Sequence, residues 1–266
     1  MQEPKWQRIR FMPGHGIGLN GQRVTGCKEH IALSRQAAAE GMVLLKNEGS
    51  ILPFGGGQKL AVFGKAQVDY VKGGGGSGDV TCAYVRSILD GLREKQAEGK
   101  LKLFNPMSKY YEENVSRQRA EGKAPGFTVE PEVPSDLLTE ARAFADTAII
   151  VICRFSSEGW DRTGKPHDGD FYLSVEEEAM VQAVLAAFDN VVVVLNVGGM
   201  VDTSWFKNEP KMKAALLAWQ GGMEGGFATA DVLCGDVNPS GHLTDTFAVN
   251  FEAYPSSAHF NDSEDY

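Results

Sequence analysis

The sequence predicts an α/β fold: a three-layer α/β/α sandwich around a mostly parallel, roughly six-stranded sheet. Residues 147–153 and 191–197 are apolar at nearly every position, which is typical of parallel strands that helices cover on both faces. Between them, residues 175–188 have helical periodicity, with Ser174 as N-cap and Glu177 completing a capping box. A strand, a helix and a strand at this spacing form a βαβ unit, and the neighbouring segments repeat the alternation.

The remaining elements follow from local periodicity and from the Gly and Pro residues that separate them. Helices are predicted over residues 29–46, 84–96, 109–121, 137–145 and 225–233. Strands are predicted over residues 60–63, 101–104 and 213–219. The sequence thus divides into an irregular lead (residues 1–28), one α/β domain (residues 29–250) and an acidic tail (residues 251–266).

The composition limits the classes of partner. The chain has 266 residues, 42% of them hydrophobic, which is enough for a substantial core. Its net charge of −9 makes it a poor partner for nucleic acid or an anionic membrane, whereas neutral ligands such as sugars are compatible with it. No apolar run is long enough to span a bilayer, and the five histidines lack ligand spacing, so neither a membrane segment nor a metal or cofactor is expected.

The cysteines and the first residues bear on the compartment. The four cysteines are far apart and form no CxxC pair, and the first ten residues lack the apolar stretch of a secretory signal. Buried free thiols are therefore expected rather than disulfides, and the predicted localisation is cytoplasmic.

A ligand site is expected at one edge of the sheet. In doubly wound sheets, ligands bind outside the carboxyl ends of the strands, in the loops that follow them. Four such loops are rich in glycine or charge, and we expect them to lie along one rim. They are the glycine loop (residues 72–79), the Glu158 loop (residues 155–170), residues 198–200 and residues 220–224.

The Glu158 loop carries side chains suited to sugar chemistry. Glu158, Trp160 and Arg162 place a carboxylate, an indole and a guanidinium within five residues. A carboxylic acid can protonate a glycosidic oxygen as the bond breaks, and an indole can stack on the apolar face of a sugar ring. Gly159 allows the backbone to turn sharply toward a ligand. Glu158 is therefore the candidate general acid, and an ordinary surface carboxylate is the simpler alternative.

This loop resembles the acid/base loop of family 3 glycoside hydrolases of the β-glucosidase type. The similarity lies in residues 157–162 (SEGWDR), followed by residues 169–174 (GDFYLS). Other segments are similar, in the same order, to parts of that family's second, α/β domain. They are residues 38–47 ending in Leu52 and Pro53, the glycine loop, residues 219–226 (WQGGMEGG), and residues 231–233 with 238–241. Together the matching segments cover about residues 29–247.

The resemblance implies a retaining, two-step hydrolysis of a β-linked oligosaccharide or glycoside, with Glu158 acting first as acid and then as base. It implies that further residues of the two loops bind substrate: Lys72, Gly75, Gly76, Ser77, Trp160, Asp161 and Arg162. It also implies a nucleophilic Asp on a separate (β/α)₈ barrel, in cis or in trans. No residue of this chain matches the nucleophile motif, and too few residues precede Glu29 to hold a barrel, so the chain alone is expected to be inactive or nearly so.

Several alternatives stay open at this point. A truncated enzyme with permuted domain order, a split gene and an isolated fragment fit the sequence equally. A carbohydrate-binding or scaffolding domain without catalysis is the second functional hypothesis. The third is a nucleotide-binding protein, because Gly73, Gly75 and Gly78 satisfy GxGxxG. The strand before them ends near Phe63, about nine residues too early for a dinucleotide site.

The charged residues near Glu158 carry expectations of their own. A general acid needs a raised pKa, which burial against Trp160 would provide and a close Arg162 would oppose, unless Asp161 pairs with that arginine. Asp161 and Asp170 suit loop braces better than catalysts. Glu224 is expected at a helix N-terminus, where a negative charge is favoured.

Overall fold

The computed structural model describes residues 26–159 and 162–259, and within them a six-stranded sheet of order β1-β6-β5-β4-β2-β3. The strands are β1 (Val43–Asn47), β2 (Gln58–Phe63), β3 (Leu101–Leu103), β4 (Thr147–Cys153), β5 (Asn190–Asn196) and β6 (Met212–Leu217). All neighbouring strands are parallel except β1, which runs antiparallel to β6 at the edge. The helices are α1 (Lys28–Gly41), α2 (Ile88–Ala97), α3 (Asn105–Ala120), α4 (Ser135–Phe144), α5 (Val175–Ala187), α6 (Ser204–Lys207) and α7 (Gly225–Leu233).

Helices cover both faces of the sheet. One apolar cluster joins α1, α2 and α7 to one face, and a second joins α3, α4, α5 and α6 to the other. Strand β4 shows the division, because Ile149 and Val151 belong to the first cluster whereas Ile150 and Ile152 belong to the second. Each such fully buried side chain contributes about 1.5–3 kcal/mol to folding. The predicted three-layer sandwich with a mostly parallel sheet is confirmed.

One predicted helix is wrong in its last five residues. The pattern over residues 29–46 favoured a continuous helix, but α1 ends at Gly41 and Met42 is extended. The chain then forms β1, in which Val43 pairs with Leu217 of β6. A run of a few apolar residues fits a helical turn and a β-strand equally well. Here the run forms a strand because it pairs with β6.

The other boundaries deviate less. The helix predicted from residue 84 begins at Ile88, because Ser87 caps it in a capping box with Asp90. The helix predicted from residue 109 begins at Asn105, with Pro106 in its first turn, a position that suits proline. The remaining predicted helices and strands agree within about two residues, which is the normal uncertainty of element ends.

The structure also bears on the predictions about the cysteines and about membrane-spanning segments. All four cysteines are free; Cys153 and Cys234 are buried as expected, while Cys27 and Cys82 are partly exposed, contrary to expectation. Across residues 26–159 and 162–259, no helix has the length and apolarity required to cross a bilayer.

Candidate functional site

The loops that follow the strands meet at the carboxyl rim of the sheet. The backbone N–H of Gly75 in the glycine loop donates to Ser156 O in the Glu158 loop at 2.9 Å. From the loop after β6, the backbone N–H of Gly222 donates to Lys72 O at 2.9 Å, and Gln220 Nε2 donates to Arg154 O at 3.1 Å. The prediction that residues 72–79, 155–170 and 220–224 share one rim is confirmed.

A buried asparagine fastens this rim to the sheet. Asn196, at the end of β5, is fully buried, and its Oδ1 accepts from the backbone N–H of Val71 at 2.8 Å. Its Nδ2 donates to Val71 O at 2.9 Å and to Trp219 O at 2.8 Å. One side chain therefore satisfies buried backbone groups in the loops after β2 and β6, and the sequence did not single it out.

Glu158 lies exposed on the rim, and one of its oxygens is held by the glycine loop. Its Oε2 accepts from Ser77 Oγ at 2.7 Å and from the backbone N–H of Ser77 at 3.0 Å. The Ser77 hydroxyl, and then its backbone N–H, lower the pKa of Glu158 below its ordinary value. The sequence left the direction of this shift open. In the structure the side chain is exposed, and the two donors stabilise the anion.

Two glycines allow the glycine loop to lie directly against the Glu158 loop. A Cβ at Gly75 would lie 2.5 Å from Ser157 Oγ and 2.7 Å from Phe155 Cζ. Gly76 has a φ of +64°, and a Cβ there would lie 2.5 Å from Glu158 Cβ. Any side chain at these two positions would push the loops apart.

The same geometry argues against a dinucleotide site. In such sites the glycine loop leads straight into a helix whose N-terminus binds the pyrophosphate. Here residues 76–78 form a 3₁₀ turn, and α2 begins only at Ile88. The glycine loop therefore lacks the directly following helix that a dinucleotide site requires, which argues against the nucleotide-binding hypothesis.

Lys72 is engaged beside the glycine loop, and Arg162 is engaged both within its own loop and by the loop after β5. Arg162 Nε donates to Asp170 Oδ1 at 2.6 Å, and its Nη1 donates to Met200 O at 2.7 Å. Asp170 also accepts from the backbone N–H of Thr163 at 2.6 Å, so its predicted role as a brace is confirmed. Lys72 Nζ donates to Asp79 Oδ1 at 2.7 Å and to Val80 O at 2.9 Å. The predicted site residues Trp160 and Asp161 lie outside the described residues.

A buried ion pair supports the start of the Glu158 loop, and the sequence predicted only half of it. Arg154, directly after β4, pairs with Glu177 through hydrogen bonds of 2.7 and 2.8 Å, and both residues are buried. Arg154 also donates to Asp170 O at 2.6 Å and to Tyr172 O at 3.1 Å. The capping-box role of Glu177 was predicted and is confirmed, whereas its pairing with Arg154 was missed.

The end of the described chain packs on the same loop. The backbone N–H of Phe251 donates to Tyr172 Oη at 3.1 Å, and the Phe251 ring lies 5.4 Å from that of Phe171. Glu224 is buried at the N-terminus of α7, as predicted, and accepts from Tyr84 Oη at 2.6 Å. Among the residues that the structure describes, no group of three His, Cys, Asp or Glu side chains is placed to hold a metal ion.

Comparison with known proteins places the domain. Residues 42–266 match the model of the glycosyl hydrolase family 3 C-terminal domain. The chain is 47% identical to Beta-glucosidase A of Butyrivibrio fibrisolvens over 98% of this chain and 34% of that protein. It is 36% identical to a Beta-glucosidase of Ruminococcus albus over 89% of this chain and 25% of that protein. The chain thus spans between a quarter and about a third of the length of these relatives.

Solved structures agree with this placement. A beta-glucosidase from Paenibacillus barengoltzii superposes with a TM-score of 0.81 at 36% identity, covering 88% of this chain and 26% of that one. Beta-glucosidase 3B from Thermotoga neapolitana, solved in complex with α-D-glucose, superposes with a TM-score of 0.77 at 35% identity, covering 90% and 34%. With a family match over most of its length and the fold of these β-glucosidase structures, this chain belongs to the glycosyl hydrolase family 3 C-terminal domain family.

Proposed function

We propose that this chain is the acid/base-bearing domain of a retaining, β-glucosidase-like glycoside hydrolase, and that Glu158 is the acid/base. The observation that carries the proposal is the position of the Glu158 carboxylate. It stands exposed on the rim where four strand-following loops converge, and Ser77 engages only its Oε2. Within the described ranges, Oε1 accepts no hydrogen bond, and we propose that this oxygen faces the substrate.

The second carboxylate of the mechanism would come from a (β/α)₈ barrel, in cis or in trans. Retaining glycosidases need two carboxyl groups about 5–5.5 Å apart, one of which is the nucleophile. The relatives, β-glucosidases at least about three times as long as the matched segment, support a partner of this kind. A barrel docked on the rim would exclude water and bring a negative charge near Glu158, and both changes raise the pKa of a carboxyl group.

Glu158 would then act in both steps of hydrolysis. In the first step the barrel carboxylate attacks the anomeric carbon while Glu158 gives its proton to the departing glycosidic oxygen. In the second step the Glu158 carboxylate takes a proton from the water that attacks the same carbon, and the barrel carboxylate is released. The substrate would be a β-linked glycoside or oligosaccharide, and Lys72, Gly75, Gly76, Trp160, Asp161 and Arg162 are the proposed residues around it.

A chimera tests this function. The matching segment of Beta-glucosidase A from Butyrivibrio fibrisolvens is replaced by this chain, and aryl β-glucosides with good and poor leaving groups are assayed. The chain alone should not hydrolyse these aryl β-glucosides, whereas the chimera should. Glu158→Ala should slow hydrolysis of poor leaving groups by about 10²–10⁴-fold, because they need a proton donor. Glycosylation by dinitrophenyl glucosides, which need little protonation, should be nearly unaffected.

A matched variant and a rival outcome complete the test. Glu113→Ala removes another exposed glutamate, which pairs with Lys109 on α3, and should leave all rates unchanged. If Glu158→Ala slowed good and poor leaving groups alike, Glu158 would not be the acid/base. A folded but inactive chimera would favour the alternative, a carbohydrate-binding or scaffolding domain.

A further inference from the structure

We propose that Ser77, predicted from the sequence to bind substrate, is instead a positioning residue that anchors one oxygen of Glu158 and leaves the other for proton transfer. The inference rests on the proposed function of Glu158. Both hydrogen-bond donors of Ser77, its hydroxyl and its backbone N–H, converge on Oε2 at 2.7 and 3.0 Å. Two donors on one oxygen fix the plane of the carboxylate as well as its position.

The backbone around Ser77 is itself fixed. The Gly75 N–H to Ser156 O bond ties the glycine loop to the Glu158 loop just before Ser77. Just after it, the backbone N–H of Asp79 donates to Gly76 O at 3.1 Å, and the Asp79 carboxylate is paired with Lys72. Hydrogen bonds on both sides of Ser77 therefore hold the backbone of the glycine loop in place. This backbone positions both donors of Ser77 next to Glu158.

Three ion pairs engage charged groups of the neighbouring segments. On the glycine loop, Lys72 pairs with Asp79 at 2.7 Å. On the Glu158 loop, Arg162 pairs with Asp170 at 2.6 Å. Beneath that loop, Arg154 pairs with Glu177. The groups that shift the pKa of Glu158 downward are the two donors of Ser77, and no charge of the described residues contributes to that shift.

The arrangement has a consequence for each half of the reaction. When Glu158 is the acid, the proton sits on Oε1, and Oε2 keeps its two bonds from Ser77. When Glu158 is the base, the same two bonds stabilise the carboxylate, and Oε1 receives the proton from water. Ser77 thus favours the charged form that the second step needs, and it keeps the same oxygen directed at the substrate in both steps.

The direct test is a titration of Glu158 in the 266-residue chain. Glutamate side chains are labelled with ¹³C at the carboxyl carbon, the Glu158 signal is identified by its loss in Glu158→Gln, and its midpoint is followed with pH. In Ser77→Ala the midpoint should move to higher pH, because one of the two donors to the anion is lost. Ser77→Thr keeps a hydroxyl and should titrate like the natural protein.

The matched control is Ser156→Ala, which removes a serine hydroxyl from the same rim that makes no hydrogen bond to Glu158 in the structure. Its midpoint should not change. The inference is overturned if Ser77→Ala leaves the midpoint of Glu158 where it was, or if Ser156→Ala moves it equally. The titration needs no turnover, so its failure is distinct from failure of the proposed function.

Kinetics of the chimera provide a second measurement. The high-pH limb of kcat/KM reports the acid of the free enzyme, so it should move to higher pH in Ser77→Ala and return in Ser77→Thr. The maximal rate should fall by less than the roughly 10²-fold minimum expected from loss of a general acid/base itself. A uniform fall in rate with an unmoved limb would indicate a merely structural serine and would contradict the proposal.

Discussion

Glu130 is the buried residue whose protonation should make the stability of this protein depend on pH. It is 4% exposed, and its Oε2 accepts from the backbone N–H of Lys65 at 2.8 Å. Burial raises the pKa of Glu130 from 4.5 to about 8, and the negative charge of Glu177 adds to the rise. The folded state therefore holds a proton that the unfolded chain releases above its ordinary pKa. The free energy of unfolding should fall as pH rises from about 4.5 to about 8.

Glu130→Gln isolates this effect, because the amide stays neutral and its oxygen can still accept from Lys65. The variant and the natural protein should be similarly stable at pH 5. At pH 9 the variant should be the more stable by up to a few kcal/mol, since one pKa unit corresponds to about 1.4 kcal/mol. Urea unfolding at both pH values measures the difference, with Glu113→Gln as the exposed control. An equal difference between variant and natural protein at both pH values would show that Glu130 is not protonated on folding.

Other decisive residues show what the sequence could not supply. Asn196 is the last residue of β5 and Arg154 directly follows β4. The sequence alone does not say whether such a polar residue points to solvent or to the core. The partners of Asn196 lie 125 and 23 residues away along the chain. By contrast, Glu158 was identifiable because its loop keeps a local motif. The direction of its pKa shift could not be predicted from that motif, because the Ser77 donors come from a different loop.

At the scale of elements, Glu177 links helix α5 to the site. It closes the capping box with Ser174, accepting its backbone N–H at 2.9 Å, and it also pairs with buried Arg154. Glu177→Ala should therefore cost more than the loss of a helix cap. A cap is worth about 0.5–2 kcal/mol, and a buried charge left without its partner costs about 3–5 kcal/mol.

Chemical unfolding of two variants separates these contributions. Asp90→Ala breaks the capping box of α2, where Ser87 and Asp90 exchange hydrogen bonds of 2.9 and 3.1 Å without a buried ion pair. It should cost about 1 kcal/mol. If Glu177→Ala cost no more than Asp90→Ala, the Arg154–Glu177 pair would not support the Glu158 loop.

Elements were predicted well where periodicity and capping agree, and less well where tertiary pairing decides. The strands β4 and β5 and the helix α5 between them were evident because long apolar runs flank a capped helix. The edge strand β1 was not, because five residues carry too little pattern and their conformation depends on β6, about 170 residues later. The convergence of the rim loops could be predicted from the parallel order of the strands. The hydrogen bonds between those loops could not.

At the scale of the whole molecule, the sheet is covered by helices on both faces and presents its loops at the carboxyl rim. That rim holds Glu158, the interlocked glycine loop and the braces Asp170 and Arg154. The chain matches about a third of the length of Beta-glucosidase A from Butyrivibrio fibrisolvens. We infer that the rim is the half of an active site that supplies the proton, and that the other half lies on the barrel.

Azide rescue of Glu158→Ala in the chimera tests that inference most directly. Azide is a small anionic nucleophile that needs no general base, so it can attack the glycosyl-enzyme from the face left empty by Glu158. Turnover of a dinitrophenyl β-glucoside should rise with azide concentration, and the product should be the β-glycosyl azide, identified by the coupling constant of its anomeric proton. No rescue, or formation of the α-glycosyl azide, would contradict the assignment, because the α-product would mean that azide had replaced a missing nucleophile rather than a missing acid/base.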